Sequence, residues 1–226
     1  MSYDTTPATA AAAAPAAIEF WFEFGSNYSY LSVMRIADAA ARLNVKILWK
    51  PFLLGPIFRS FGWDNSPFVL QKAKGDYVWK DMVRECRRYQ LPWVKPTTFP
   101  RAAVLPLRVA VVGAEQDWMG AFCQRMMLLN FAEDRDIDSV ETVTEVLDQL
   151  NLPTQQILSA AQSDANKLKL REQTETAKTR GIFGAPTFFV GEDIFWGNDR
   201  LDDALAQCAA NQEQVVRQSP NSRGGG

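Results

Sequence analysis

Strand-forming residues cluster near the two ends of this chain, and a long stretch of helical pattern separates them. Ile18 to Phe24 (IEFWFEF) is dense in aromatic and β-favouring residues, which predicts a strand covered on both faces. Gly25 and Ser26 break it. Ser26 or Asn27 can then cap a helix over about Tyr28 to Leu43, with Tyr28, Leu31, Ile36 and Ala39 or Ala40 facing inward. Val45 to Phe52 (VKILWKPF) reads as a second strand ended by Pro51, giving a βαβ unit in which parallel strands are the default. Leu53 to Pro67, rich in Gly, Pro and aromatic residues, is expected to be a loop. Phe68 to about Arg180 reads as almost entirely helical, with Asp117 as the expected cap of a helix over Trp118 to Phe131. Gly181 closes the last of these helices. Strand signals return at Thr187–Val190 and Asp193–Trp196, joined by Gly191-Glu192, which suits a tight hairpin. Asn198 or Asp199 then caps a short helix from Arg200 to about Ala210. The expected architecture is α/β: residues 18–66 and 182–212 form a βαβ…ββα sheet domain, 67–181 form a large inserted all-helical domain, and 1–17 and 213–226 are disordered tails.

The chain contains no histidine, which removes Ser-His-Asp triads, Cys-His dyads, HExxH zinc sites and imidazole bases at once. Three cysteines, Cys86, Cys123 and Cys208, lie far apart without a CxxC pair. They fit reduced intracellular thiols better than disulfides, and no metal site is expected. The Ala/Pro/Thr-rich start has no basic residue before Arg35, so it lacks the charge of a signal or transit peptide. A formal charge of −2 gives no electrostatic footprint for nucleic acid. The longest apolar run, Ala102 to Gly113, is interrupted by Pro106 and Arg108 and is too short to span a bilayer. The expectation is a soluble, cytoplasmic protein that binds neither nucleic acid nor membrane. Charge is nevertheless uneven. Lys72 to Arg108 holds nine Lys/Arg against three Asp/Glu, and Glu115 to Asp148 holds nine Asp/Glu against two Arg. These stretches read either as solvated helical faces or as a basic wall toward an anionic ligand.

Three short segments would meet at one end of such a sheet. Phe24-Gly25-Ser26-Asn27-Tyr28 joins the first strand to the first helix, where unpaired backbone N–H groups and a serine hydroxyl can hold an anion. Gly184-Ala185-Pro186-Thr187 places a proline at the start of a strand. A cis Ala185-Pro186 bond there would offer the backbone of Ala185 to a ligand. Trp196-Gly197-Asn198-Asp199-Arg200 again leads from a strand into a helix. Each segment taken alone is more often a cap or an ordinary loop proline.

Together, IEFWFEFGSNYSYLS, WKPFLLGPIF, KGDYVWKDM and RGIFGAPTFFVGEDIFWGNDRL resemble the 2-hydroxychromene-2-carboxylate isomerases, over roughly Ile18 to Leu205. These are relatives of the kappa-class glutathione transferases in the thioredoxin-like superfamily that also holds the DsbA-like disulfide oxidoreductases. The resemblance implies a thioredoxin-like fold with an inserted helical domain, and glutathione as cofactor. It implies that Ser26 is the catalytic serine beside the glutathione sulfur. Ala185 would pair through its backbone with the cysteinyl unit, and Pro186 would be the cis-proline. Asn198 and Asp199 would hold the γ-glutamyl end, with Arg200 following, and Asn65 and Lys74 would help hold the tripeptide. Asn27 stands where proline is common in the family.

The implied reaction interconverts 2-hydroxychromene-2-carboxylate and trans-o-hydroxybenzylidenepyruvate in naphthalene-type aromatic catabolism, by reversible thiolate addition. The partners would be a small aromatic carboxylate and a second copy of the chain in a homodimer. Tyr77, Trp79, Trp63 and Phe52 are candidates for an aromatic substrate wall. A kappa-like transferase acting on another electrophile is the alternative. A disulfide oxidoreductase is disfavoured because the first helix begins GSNY, without a cysteine. A non-enzymatic thioredoxin-like binding module is the remaining class.

Overall fold

The computed structural model describes residues 16–218, so most of both expected tails (residues 1–15 and 219–226) lie outside the described residues. Strands β1 (Ala17–Phe22), β2 (Lys46–Pro51), β3 (Thr187–Val190) and β4 (Asp193–Trp196) form one sheet in the order β2-β1-β3-β4. β1 and β2 are parallel, with Ala17 opposite Lys46 and Phe22 opposite Pro51. β3 runs antiparallel to β1, and β4 antiparallel to β3. Helix α1 (Asn27–Arg42) links β1 to β2. Between β2 and β3 come α2 (Leu54–Ser60), α3 (Pro67–Leu70), α4 (Lys72–Tyr89), α5 (Val104–Gly113) and α6 (Met119–Phe131). They are followed by α7 (Val140–Gln149), α8 (Thr154–Gln162) and α9 (Asp164–Thr179), while α10 (Leu201–Gln218) follows β4. The order is the βαβ…ββα pattern with helices between its halves.

Period-two alternation decides where β1 sends its side chains. Ile18, Phe20 and Phe22 are fully buried on the face packed by α1 and α10. Trp21 points to the other face and packs with Phe52, Ile57, Ala177, Ile182 and Phe189. Phe20 stacks on Phe188 of β3 at 5.2 Å between ring centroids, and lies 5.4 Å from Trp49 of β2. Each such aromatic contributes roughly 1.5–3 kcal/mol by leaving water, and from Phe20 to Phe22 β1 is buried on both faces. This central position fixes the carboxyl end of β1, where the site forms.

The expected loop over Leu53 to Pro67 contains a helix instead. Pro56 falls in the first turn of α2, where an absent N–H costs no hydrogen bond, and the buried Ile57 anchors the helix beneath β1. The helical stretch is broken between Gln90 and Ala103, where Pro92, Pro96 and Pro100 remove backbone donors and the Phe99-Pro100 bond is cis. Asp117 does not cap α6; the cap position is Trp118, with no side-chain hydrogen bond. The final helix is longer than expected because no Gly or Pro follows Gly197 before Pro220. Neither Asn198 nor Asp199 is its cap. Both lie in a 3₁₀ turn, Asn198–Arg200, opened by Gly197 at φ 109°, a left-handed backbone that favours glycine. No described helix is long and apolar enough to cross a membrane.

Candidate functional site

A cleft of about 590 Å³ opens at the carboxyl end of β1, between the sheet and the helices α2 to α4. Its root is the β1–α1 junction. Ser26 is the N-cap of α1, with extended backbone (φ −85°, ψ 115°), and its Oγ accepts the Ser29 N–H at 3.2 Å. The hydroxyl proton goes elsewhere: Ser26 Oγ donates to the Ala185 carbonyl at 2.9 Å, across a sequence separation of 159 residues. The Ala185-Pro186 bond is cis. Pro186 is buried, and its carbonyl accepts the Gly197 N–H at 3.0 Å, which ties the proline to the end of β4. Gly184 is needed at this crossing, because a Cβ there would lie 2.5 Å from Trp196 Nε1.

Four of the eight sequence-predicted residues line the cleft: Ser26, Asn65, Lys74 and Ala185. Asn65 is exposed and its Oδ1 accepts the Ser66 N–H at 2.7 Å, while Ser66 caps α3 through Phe68 N–H. Lys74, in the first turn of α4, is exposed and has no carboxylate partner among the described residues. Its neighbour Gly75 lets α4 approach α3 closely, since a Cβ there would collide with the Phe68 carbonyl.

The other predicted residues sit apart from the cleft lining. Asn198 is 4% exposed and turned toward α1: its Oδ1 accepts Ser32 Oγ at 3.1 Å and Arg35 Nη1 at 2.9 Å. It braces the 3₁₀ turn against the helix that carries Ser26. Asp199 and Arg200 are exposed; Arg200 pairs with Asp203 at 2.8 Å and lies 3.7 Å from Asp199. Replacing Asn198 with alanine strands the fully buried Ser32 hydroxyl and removes one hydrogen bond of Arg35, which keeps its pair with Asp202. The expected loss is about 1–3 kcal/mol, read as a lowered denaturant midpoint with unchanged m. An unchanged midpoint would show that the brace carries no stability.

Of the aromatic wall candidates, Trp63 and Tyr77 line the cleft. Phe52 is buried against Trp21, and Trp79 packs against Trp93 and Phe99 outside the lining. The sequence reading missed Glu23, Phe58, Arg59, Phe99, Arg101 and Trp196, all of which line it. Phe58 and Arg59 were lost with α2. Phe99 and Arg101 come from the proline-rich segment, held by Arg101, whose guanidinium pairs with Asp134 at 2.5 Å and bonds the Asn130 side chain at 3.1 Å. Asn130 in turn donates to the Phe24 carbonyl at 2.9 Å, so this wall is fastened to the end of β1. Glu23 had a legible signal, a carboxylate inside the otherwise apolar run FWFEF.

Glu23 is 9% exposed, and its Oε2 accepts the Gly25 N–H at 2.9 Å. Burial pushes its carboxyl up to about 7; the Gly25 hydrogen bond opposes that, and the charge of Asp138 adds to it. The three cysteines are buried outside the cleft lining. Burial raises the Cys86 thiol to about 12 and Cys123 well above its ordinary value, so neither supplies a thiolate near neutral pH. No cluster of three or more Cys, Asp or Glu able to hold a metal occurs among the described residues.

The architecture has counterparts in known proteins. The 2-hydroxychromene-2-carboxylate isomerase of Sphingobium xenophagum is 29% identical over 189 residues, covering 82% of this chain and 94% of that protein. Glutathione S-transferase kappa 1 of Rattus norvegicus is 26% identical over 203 residues, covering 84% and 89% respectively. A solved structure of 2-hydroxychromene-2-carboxylate isomerase superposes with a TM-score of 0.79 at 24% identity, over 90% of this chain and all of that one, which shows a shared fold. The DSBA-like thioredoxin domain matches residues 17–208, from the start of β1 to well inside α10. Because that match takes in all four strands and every helix between them, the chain belongs to the DSBA-like thioredoxin family.

Proposed function

We propose that this protein is a glutathione-dependent isomerase interconverting 2-hydroxychromene-2-carboxylate and trans-o-hydroxybenzylidenepyruvate in naphthalene-type aromatic catabolism. The observation that carries the reading is the Ser26 hydroxyl, set at the N-terminus of α1 and facing the Ala185 carbonyl across the root of an aromatic cleft. The isomerase and transferase names of its relatives agree with it. The residues fit glutathione. The helix N-terminus and Ser26 offer donors to an anionic sulfur, Ala185 offers backbone beside Pro186, and Asn65 and Lys74, the latter without a carboxylate partner among the described residues, line the same cleft for a carboxylate. The inward Asn198 makes the other end of the site an indirect contribution, with Asp199 and Arg200 as its exposed groups.

When bound, glutathione supplies a nucleophilic sulfur whose reversible addition turns a conjugated double bond into one free to rotate. A free thiol titrates near ~8.5, so the protein's task is to favour the anion. Ser26 does this by donating its hydroxyl. In the structure that proton is engaged by Ala185 O, part of the backbone that the resemblance pairs with the cysteinyl unit. A ligand N–H taking over Ala185 O releases the serine proton for the sulfur, so binding and activation are coupled. Arg59 and Lys74 line the same cleft as Phe58, Trp63 and Tyr77, a lining suited to an aromatic carboxylate.

The kappa-class relative favours one further reading, a transferase with the same glutathione site and another electrophile. An ultraviolet assay of hydroxychromene carboxylate, with and without glutathione, beside a chlorodinitrobenzene conjugation assay separates the two. The expected result is rapid isomerisation that requires glutathione, with slow conjugation. Conjugation without isomerisation selects the transferase, and isomerisation without glutathione removes both readings.

A further inference from the structure

The chain has no imidazole, yet a carboxylic acid is built into the root of the cleft. Glu23 stands three residues before Ser26, at the last turn of chain between β1 and α1, and both residues line the same cleft. Its carboxyl folds back under Gly25, whose N–H holds Oε2. Gly25 is required for that lodging: a Cβ there would come within 2.9 Å of both Glu23 Oε2 and the Arg101 carbonyl. Glu23 has no cation partner among the described residues, and Oε1 makes no protein hydrogen bond among them. A buried carboxyl kept without a cation is costly as a structural element, and thiolate addition alone leaves it unused.

We propose that Glu23 is the proton-transfer residue for ring opening and closure of the substrate's hemiketal. The inference rests on the isomerase reading and adds a step to it. In opening, the Glu23 carboxylate takes the proton of the hemiketal hydroxyl as its oxygen becomes a carbonyl. The bond between that carbon and the ring oxygen breaks, and its electron pair goes to the phenolic oxygen. The Glu23 acid then returns the proton to the phenoxide, so no proton is gained or lost. Closure is the reverse. The carboxyl's elevation to about 7 suits it to both directions near neutrality. The groups that face it are Asp138, which caps α5 through Leu105 N–H and raises it, and Arg101, whose guanidinium is committed to Asp134. Arg59, Lys74 and Asp64 share the cleft lining at more exposed positions.

The test compares wild type with Glu23→Gln, which keeps the acceptor for Gly25 N–H, and with Glu23→Asp, at saturating glutathione. The wild-type kcat/KM for hydroxychromene carboxylate should rise with pH through about 7. Glu23→Gln should lose that limb and fall by about 10²-fold or more, and Glu23→Asp should keep a shifted limb. A readout independent of turnover is the infrared band of the protonated carboxyl, recorded as wild type minus Glu23→Gln. It should titrate near neutrality and move on adding chromone-2-carboxylate, which has the ring and carboxylate but no hemiketal hydroxyl. A Glu23→Gln enzyme with full rate and an unchanged limb overturns the proposal, as does a band that ignores chromone-2-carboxylate. Failure of the wild type to isomerise the hydroxychromene at all would instead overturn the isomerase reading on which the proposal stands.

Discussion

Ser26→Ala is expected to lower glutathione-dependent turnover by more than tenfold, toward the roughly 10²-fold loss typical of a preorganised donor to a developing or resident anion. The substitution removes two things at once, the donor to Ala185 O and the acceptor for Ser29 N–H that caps α1. The cap alone is worth about 1 kcal/mol against alanine and only a few tenths against glycine. Ser26→Gly therefore separates the roles. Both variants should lose the same activity and the same Ala185 hydrogen bond, while Ser26→Ala should lose up to about 1 kcal/mol more stability than Ser26→Gly. The thiolate absorbance of bound glutathione should fall in both. Full turnover in either variant would remove Ser26 from the chemistry, whatever happens to the melting temperature.

The second large effect concerns stability and pH. Glu23 titrates near an ordinary glutamate value in the unfolded chain and near about 7 in the folded one, raised chiefly by burial. The native state thus binds the proton more tightly than the unfolded state. Its contribution is fully present below the unfolded value and is lost as pH rises through about 7. Relative to the wild type, Glu23→Gln should gain stability progressively between about pH 4.5 and 7 and hold the gain above that range. The whole gain should be about 3 kcal/mol, because each tenfold difference in proton affinity between the folded and unfolded chain is worth about 1.4 kcal/mol. Denaturant midpoints of the two proteins at pH 5 and pH 8 read it directly, and Asp138 is common to both. Equal gaps at the two pH values would show that the folded protein does not penalise the Glu23 charge. A gain in stability joined to a loss of activity is the expected signature of a group retained for function.

The local elements were largely legible. IEFWFEF, VKILWKPF and the hairpin TFFV-GE-DIFW carry their structure in β-favouring residues and turn chemistry, and all three form strands close to the expected bounds. The Ser26 cap was legible for the same reason, as a short polar residue between an apolar strand and a periodic helix. α2 was not, because LGPIFRS combines turn residues with an anchor, Ile57, whose value depends on Trp21 from another strand. Asn198 as a helix cap was misread in a different way. Its sequence context suits a cap or a ligand group, but Ser32 and Arg35, far away on α1, claim its oxygen.

By itself the sequence determined the order of the four strands and the helix after the first, the absence of imidazole chemistry, and a serine at the first helix start. These depend on residue type and short-range spacing. Only the tertiary structure decided that Ser26 meets the Ala185 carbonyl, that Asn65 and Lys74 share its cleft, and that Glu23 is buried there with a carboxyl near neutrality. The reason is physical. Desolvation, and hydrogen bonds across 159 residues of chain, are set by what packs around a group once the sheet has closed, and no local pattern encodes them.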